Sequence, residues 1–243
     1  MRLALTKYGW PQVVVFPAVV IMLMVVICWM ASKELLWFWT FVSIEPILAI
    51  ILIWGLSFFR DPYRAVPADK NILLAPADGR ITDIETVEGN DFIGEKALRI
   101  GIFLSIFDAH INRAPCNVKV EKITYKKGKH KNAMNPKSGR VNESNDLGLV
   151  RIDSPQDKLI VRQIAGAIAQ RIVCAAREGQ ELTGGEKFGM IKFGSRTELY
   201  MPAPKGPVRE NVKCLVKIGD KVKAGLTPLV RYEYQNVNIK MQN

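Results

Sequence analysis

The 243-residue chain is predicted to be a mainly β protein, an antiparallel barrel or sandwich with few short helices, set behind an N-terminal helical hairpin. Three observations predict this. Two long apolar runs occupy the first 60 residues. From residue 71 onward, short runs rich in Val and Ile recur between Gly, Asp and Asn. Only one later stretch, around Ile164, Ile168 and Ile172, has helical spacing. Short strands bounded by turn formers mark an all-β domain, and nearly charge-free runs of about 20 residues mark membrane helices.

Residues 11–31 contain no charge, and residues 35–59 contain only Glu45. As helix, each run reaches across a hydrocarbon core of ~30 Å. A cleavable leader competes for the first run, but a second apolar run follows it in place of a cleavage site and a polar chain. The short turn at residues 31–34 brings both ends of the pair to one side of the membrane. Those ends carry Arg2, Lys7, Arg60, Arg64 and Lys70, against Lys33 and Glu34 in the turn. This bias predicts a cell-membrane protein whose main domain faces the cytoplasm. Glu45-Pro46 keeps a re-entrant hairpin as the alternative, because a carboxylate in hydrocarbon is costly and proline interrupts the helical ladder.

Residues 59–67 form a polar, proline-punctuated linker. Strands are predicted at 72–75, 80–86, 98–105, 118–125, 148–153 and 158–164, a short amphipathic helix around Ile164–Ile168–Ile172, and further strands at 212–218 and 227–232. Gly219-Asp-Lys-Val-Lys-Ala-Gly225 resembles the turn of lipoyl- and biotinyl-type β-barrels, and Ala75-Pro-Ala-Asp-Gly-Arg-Ile81 resembles a barrel turn too. Their places near the two ends of the domain predict that those ends pair in one sheet system.

Net charge is +11, and residues 1–70 hold six Lys/Arg against four Asp/Glu, so +9 falls on the domain behind the hairpin. A basic domain tethered to a bilayer is expected to meet anionic lipid. Six lysines and one glutamate between residues 118 and 131 fit either that role or a solvated edge. Nucleic acid is set aside as a partner, given the anchor and the lack of interleaved aromatics. Cys28, Cys116, Cys174 and Cys214 form no C-x-x-C pair, so neither a metal site nor a disulfide framework is indicated, and buried thiols in a reducing compartment are expected.

One dipeptide carries candidate chemistry. At Gly194-Ser195 the serine hydroxyl can attack the preceding carbonyl, turning the amide into an ester. β-Elimination of that ester leaves a dehydroalanine, which hydrolyses to a pyruvoyl group and ammonia. Glycine suits the first position, since it tolerates the bent backbone this attack needs. Gly-Ser is also a common turn, and context decides. Lys187-Phe-Gly-Met-Ile-Lys-Phe-Gly-Ser-Arg-Thr-Glu-Leu-Tyr-Met-Pro202 resembles the cleavage segment of short-form phosphatidylserine decarboxylases. Ala75-Pro-Ala-Asp-Gly-Arg-Ile81, Phe107-Asp-Ala-His-Ile-Asn-Arg-Ala-Pro115 and Arg162-Gln-Ile-Ala-Gly166 resemble the same family in the same order. Asn142-Glu-Ser-Asn145 is a looser match. The resemblance runs from about residue 61 to about residue 232.

The resemblance implies an anchor at 1–60 and a catalytic domain at 61–243, self-cleaved into chains 1–194 and 195–243 that stay associated. It implies a covalent pyruvoyl (pyruvate) cofactor made from Ser195, which forms a Schiff base with phosphatidylserine and yields phosphatidylethanolamine. It implies Asp78, His110 and Ser195 as an acid/base/nucleophile relay, with His130 left in a basic loop. It leaves a homodimer open. Many longer relatives have a second histidine where this chain has Arg113, so His110 is expected to serve both maturation and turnover. Arg113 and Arg196 are candidate substrate-binding residues, Arg196 being equally readable as an exposed flanking residue. Two other readings stand beside this one: the same chemistry on an ether-linked or modified serine lipid, and a non-catalytic lipoyl-like adaptor with an unbroken chain.

Overall fold

The computed structural model describes residues 4–89, 91–132, 134, 138–167, 171–192, 195–203 and 212–233. It divides into two compact units, residues 1–63 with 106–109, and residues 64–105 with 110–243.

The first unit is a helical hairpin of α1 (Gln12–Ser32) and α2 (Phe38–Phe58), each of 21 residues and so about 31 Å long. Both are long and apolar enough to cross a membrane, and only 6% and 11% of their most apolar windows are buried. Core helices of a soluble domain would be mostly buried. The helices approach closely where Gly55 faces Phe16, whose ring would lie 2.2 Å from a Cβ placed there. The chain entering α1 pairs with the chain leaving α2, through a bridge between Leu5 and Arg60 and bonds from Thr6 N to the Phe59 carbonyl (2.9 Å) and Asp61 N to the Ala4 carbonyl (2.7 Å). Both ends of the hairpin therefore lie together, as the sequence predicts. Arg60 donates to the Ser57 carbonyl at the end of α2 and to the Phe107 carbonyl at 2.6 Å.

The second unit is antiparallel throughout its described strand pairs. Its strands are β1 (Ile72–Leu74), β2 (Gly79–Val87), β3 (Ala97–Leu104), β4 (Ile111–Arg113), β5 (Val118–Lys126), β6 (Ser144–Arg151), β7 (Lys158–Ile164), β8 (Ile172–Cys174), β9 (Glu181–Leu182), β10 (Lys187–Ile191), β11 (Ser195–Pro202), β12 (Val212–Cys214), β13 (Lys221–Val222) and β14 (Pro228–Tyr232). One short helix, α3 (Ser138–Val141), precedes β6. An eight-stranded sheet runs β13-β2-β3-β11-β7-β6-β5-β9, with smaller sheets β4-β10-β8 and β1-β14-β12. The core gathers Ile81, Ile100, Ile102, Leu147, Leu149, Val161, Phe188 and Leu199. Alternation is plain in β5, where Val118 and Val120 are buried while Lys119 and Glu121 are exposed.

The two barrel-type turns meet each other. Gly219 N donates to the Ile81 carbonyl, Ile81 N to the Asp220 carbonyl and Gly225 N to the Ala75 carbonyl, at 2.8–2.9 Å. Gly219 (φ +96°) and Gly225 (φ +69°) occupy the left-handed region that a side chain disfavours. With β1 paired to β14, the ends of the domain close on one another as predicted.

Three expectations need correction. Ile164 ends β7 and Ile172 opens β8, so both flanks of the predicted helix are strand; Ile168 lies outside the described residues. Helical spacing arose from two strand ends flanking a connection. The strand predicted from 148 begins at Ser144 and ends at Arg151, because β6 pairs with β7 from Ser144 onward despite polar residues at its start. Of the four cysteines, all free, only Cys116 is buried, and Cys28 is exposed on α1. Desolvation pushes the Cys116 thiol up to about 12, which keeps it protonated and unreactive at neutral pH.

Candidate functional site

β10 belongs to the small sheet and β11 to the large one, so the chain changes sheets between Ile191 and Ser195. Ser195 opens β11 opposite Leu104. It is fully buried, and its Oγ has no hydrogen-bond partner among the described residues. A buried hydroxyl left unpaired costs about 1–3 kcal/mol, so its presence at the head of a strand calls for a chemical reason. Gly194, the other half of the predicted cleavage pair, lies outside the described residues.

His110 is completely buried just before β4. Its carbonyl accepts Ile191 N at 3.1 Å, because β4 pairs antiparallel with β10, Ile111 opposite Met190. That register sets His110 beside the residue four positions ahead of Ser195. Asn112, two residues past His110, donates through Nδ2 to Thr197 Oγ1 at 3.0 Å. Thr197 lies two residues past Ser195 on the same face of β11. Asp78 enters from the loop before β2. The Pro76 carbonyl in that loop accepts Arg113 N at 3.0 Å, which ties the loop to β4. The two Asp78 carboxylate oxygens accept Ala224 N at 2.7 Å and Arg64 Nη2 at 2.6 Å. The loop carrying Asp78, the strand after His110 and the strand before Ser195 are thus joined by backbone hydrogen bonds.

Arg113 leaves β4 on the face opposite Asn112. It donates to the Gly185 carbonyl at 3.0 Å, and its Cδ would meet a Cβ on Gly225 at 3.0 Å. It is wedged between two turns. Arg196 leaves β11 on the face opposite Ser195 and is fully buried, which overturns the alternative of an exposed flanking residue. Its guanidinium donates to Glu198 Oε1 and Thr82 Oγ1, both at 2.7 Å, and to Asp83 Oδ2. Arg99 adds an ion pair to Asp83 at 3.1 Å, and Tyr200 donates to Glu198 Oε2 at 2.5 Å. α3 covers this face closely enough that a Cβ on Gly139 would come within 3.0 Å of Glu198 Oε1. Paired charges make such burial tolerable. His130 stays in its basic loop, 3.6 Å from Glu143.

Burial by itself would raise the Asp83 carboxyl, but hydrogen bonds from Arg196 and Thr82 and the charges of Arg196 and Arg99 outweigh it and hold the group below its usual value. A carboxylate lowered in the fold stabilises it above the unfolded pKa, near ~3.9, and loses that contribution as pH falls through the folded value. The gap in thermal midpoint between the unmodified protein and Asp83→Asn should therefore stay flat from pH 8 to about 5 and shrink below about 4. A gap unchanged at pH 3 would contradict this account of the pair.

Sequence reasoning missed three groups. Arg64, read only as a linker cation, is the ion partner of Asp78. Lys192, two residues before Gly194, is buried, and desolvation together with the charge of Arg171 pushes its pKa down. The third is a set of buried amides. Asn145 Nδ2 donates to Gln163 Oε1 (3.1 Å) and Gln163 Nε2 to Asn112 Oδ1 (2.9 Å), leading on to Thr197. The available signal was that Asn112, Asn145 and Gln163 each fall inside a stretch that resembles the family.

The family model described as phosphatidylserine decarboxylase matches residues 52–229. The chain is similar to a protein of Pelagibacter ubique, 41% identical over 185 residues, which cover 75% of this chain and 81% of that one. It is also similar to proteins of Desulfotalea psychrophila (42% over 174 residues, 72% and 77% covered) and Beijerinckia indica (41% over 202 residues, 82% of each). All three are named phosphatidylserine decarboxylase proenzyme.

Proposed function

The chain belongs to the phosphatidylserine decarboxylase family, and from that premise we propose that it converts phosphatidylserine to phosphatidylethanolamine using a pyruvoyl group cut from its own Ser195. The observation that carries the proposal is the buried Ser195 hydroxyl without a hydrogen-bond partner among the described residues, where the chain passes from one sheet to another.

In the self-cleavage, Ser195 Oγ attacks the Gly194 carbonyl and the amide becomes an ester. Elimination frees residues 1–194 with a C-terminal carboxylate, and hydrolysis at residue 195 releases ammonia. His110, fully buried and bonded through its carbonyl to β10, is the base for the Ser195 proton, and a neutral-pH acid–base group suits that work. Asp78, fixed by Arg64 and Ala224 N, completes the relay. Once formed, the pyruvoyl group would supply a carbonyl able to bind the substrate amine and to draw off electrons as CO2 leaves. His110 then returns a proton to the substrate Cα. Burial of Ser195, His110, Asn112 and Thr197 excludes water, which strengthens every charge interaction around the reacting centre. Arg113 and Arg196 are occupied by the Gly185 carbonyl and by Asp83 and Glu198. We assign them positioning roles in place of substrate contact.

The two cleaved chains stay associated because β11 is hydrogen-bonded between β3 and β7 and β14 pairs with β1. The hairpin anchors the enzyme in the cell membrane as two spans. Exposed Trp10 lies at one end of it, and exposed Trp29, Trp37 and Trp39 lie at the other, where amphipathic rings suit the headgroup level. The cationic flanks set the domain on the cytoplasmic side, and the exposed lysines of β5 meet anionic lipid.

Intact mass under denaturing conditions tests the reading. Two species dividing between 194 and 195 are expected, the smaller lacking its α-amino group. A single chain still unbroken after days in detergent and lipid would refute it.

A further inference from the structure

Cleavage after residue 194 would cut the covalent link between β10, in the small sheet whose strand β4 follows His110, and β11, which begins at Ser195 in the eight-stranded sheet. We infer that the buried amide chain Asn145–Gln163–Asn112–Thr197 replaces that link and holds the new end of β11 against the His110-bearing sheet during turnover. The inference rests on the pyruvoyl reading above.

The four residues come from β6, β7, β4 and β11, and none is more than 4% exposed. Gln163 is the joint. Its Oε1 accepts Asn145 within the large sheet, while its Nε2 donates to Asn112 Oδ1 at 2.9 Å and to the Val173 carbonyl of β8 at 3.3 Å, both in the small sheet. Asn112 then returns to the large sheet at Thr197, two residues from the new terminus. β10 is glycine where Gln163 passes. A Cβ on Gly189 would lie 3.0 Å from Gln163 Nε2 and 2.2 Å from the Val173 carbonyl. Buried amides gain little net stability over apolar groups of the same shape, whereas a fully bonded chain of them specifies one arrangement. Strand pairing with β3 and β7 holds β11 inside its own sheet. The Thr197–Asn112 bond crosses between sheets at the cut, so it acts on the reacting end.

The test compares Thr197→Val, which removes the hydroxyl at constant shape, with Thr197→Ser, which restores it, and with Gln163→Met, which breaks the next bond and leaves the sequence of β11 unchanged. Each is measured for completeness of the 194/195 split, for thermal midpoint, and for kcat and KM per carbonyl titrated with a hydrazine. Thr197→Val and Gln163→Met should split fully and lose about tenfold or more in kcat with KM nearly unchanged, as misplacement of a reacting group predicts. Thr197→Ser should stay within about twofold of the unmodified enzyme. An unmodified enzyme that splits beside a Thr197→Val that turns over normally would overturn the inference alone. So would a Thr197→Val arrested before the split, or an equal loss in Thr197→Ser. An unmodified chain that never splits would overturn the pyruvoyl reading and this inference together.

Discussion

Ser195→Ala should leave one unbroken chain of 243 residues with no decarboxylase activity and an undiminished thermal midpoint. The nucleophile and the source of the carbonyl are the same residue, its Oγ attacking and its Cα becoming the carbonyl carbon, so the substitution abolishes both processing and turnover. The fold should not notice the change. Ser195 Oγ makes no hydrogen bond among the described residues, so the substitution breaks none, and losing a desolvated hydroxyl is neutral or gains up to about 1–3 kcal/mol. Intact mass, product assay and thermal denaturation read the three parts separately. A processed Ser195→Ala chain would disprove the assignment of the cleavage site. An unbroken chain with a sharply lowered midpoint would point to a structural duty for the hydroxyl.

The next residue should behave in the opposite way. Arg196→Ala should destabilise the second unit by about 3–5 kcal/mol, the usual effect of stranding a buried charge. For a domain of this size that lowers the thermal midpoint by about 10 °C. The guanidinium is fully buried and bonds Asp83, Thr82 and Glu198 at once. Without it, Glu198 retains its bond from Tyr200, and Asp83 its ion pair with Arg99 and its bond from Thr82. Arg196→Lys should recover a minor part, since an ammonium cannot match a planar fork spread over three acceptors. A midpoint for Arg196→Ala within about 2 °C of the unmodified protein would show that the charge cluster does not hold this sheet together.

This contrast between neighbours shows where sequence reading reaches its limit. The pair Ser195-Arg196 is visible in the chain, but which side chain faces the site and which faces the covered side of the sheet depends on the register of β11 against β3 and β7. That register is set by strands far away in the sequence, residues 158–164 and 97–104. Strand alternation fixes only that the two faces differ. Arg64 was invisible for the same reason. In the sequence it is one more cation after the hairpin, and only folding brings its guanidinium to Asp78.

The sequence by itself determined the local features. Runs of apolar residues specify the two long helices, since length and lack of charge suffice. Gly, Asp and Asn between short Val- and Ile-rich stretches specify most strands, since turn chemistry is local. Asp78, His110 and Ser195 could be named as candidates because the stretches that hold them resemble those of a known family. The tertiary structure decided the rest. It turned the supposed helix around Ile164 and Ile172 into the ends of β7 and β8, because pairing with β6 and β10 satisfied their backbone better than isolated helical turns could. It assembled the amide chain from four strands, and it put Arg113 and Arg196 to work on turns and carboxylates. Those outcomes depend on which distant backbone lies alongside, and that is decided by the folded sheets as a whole.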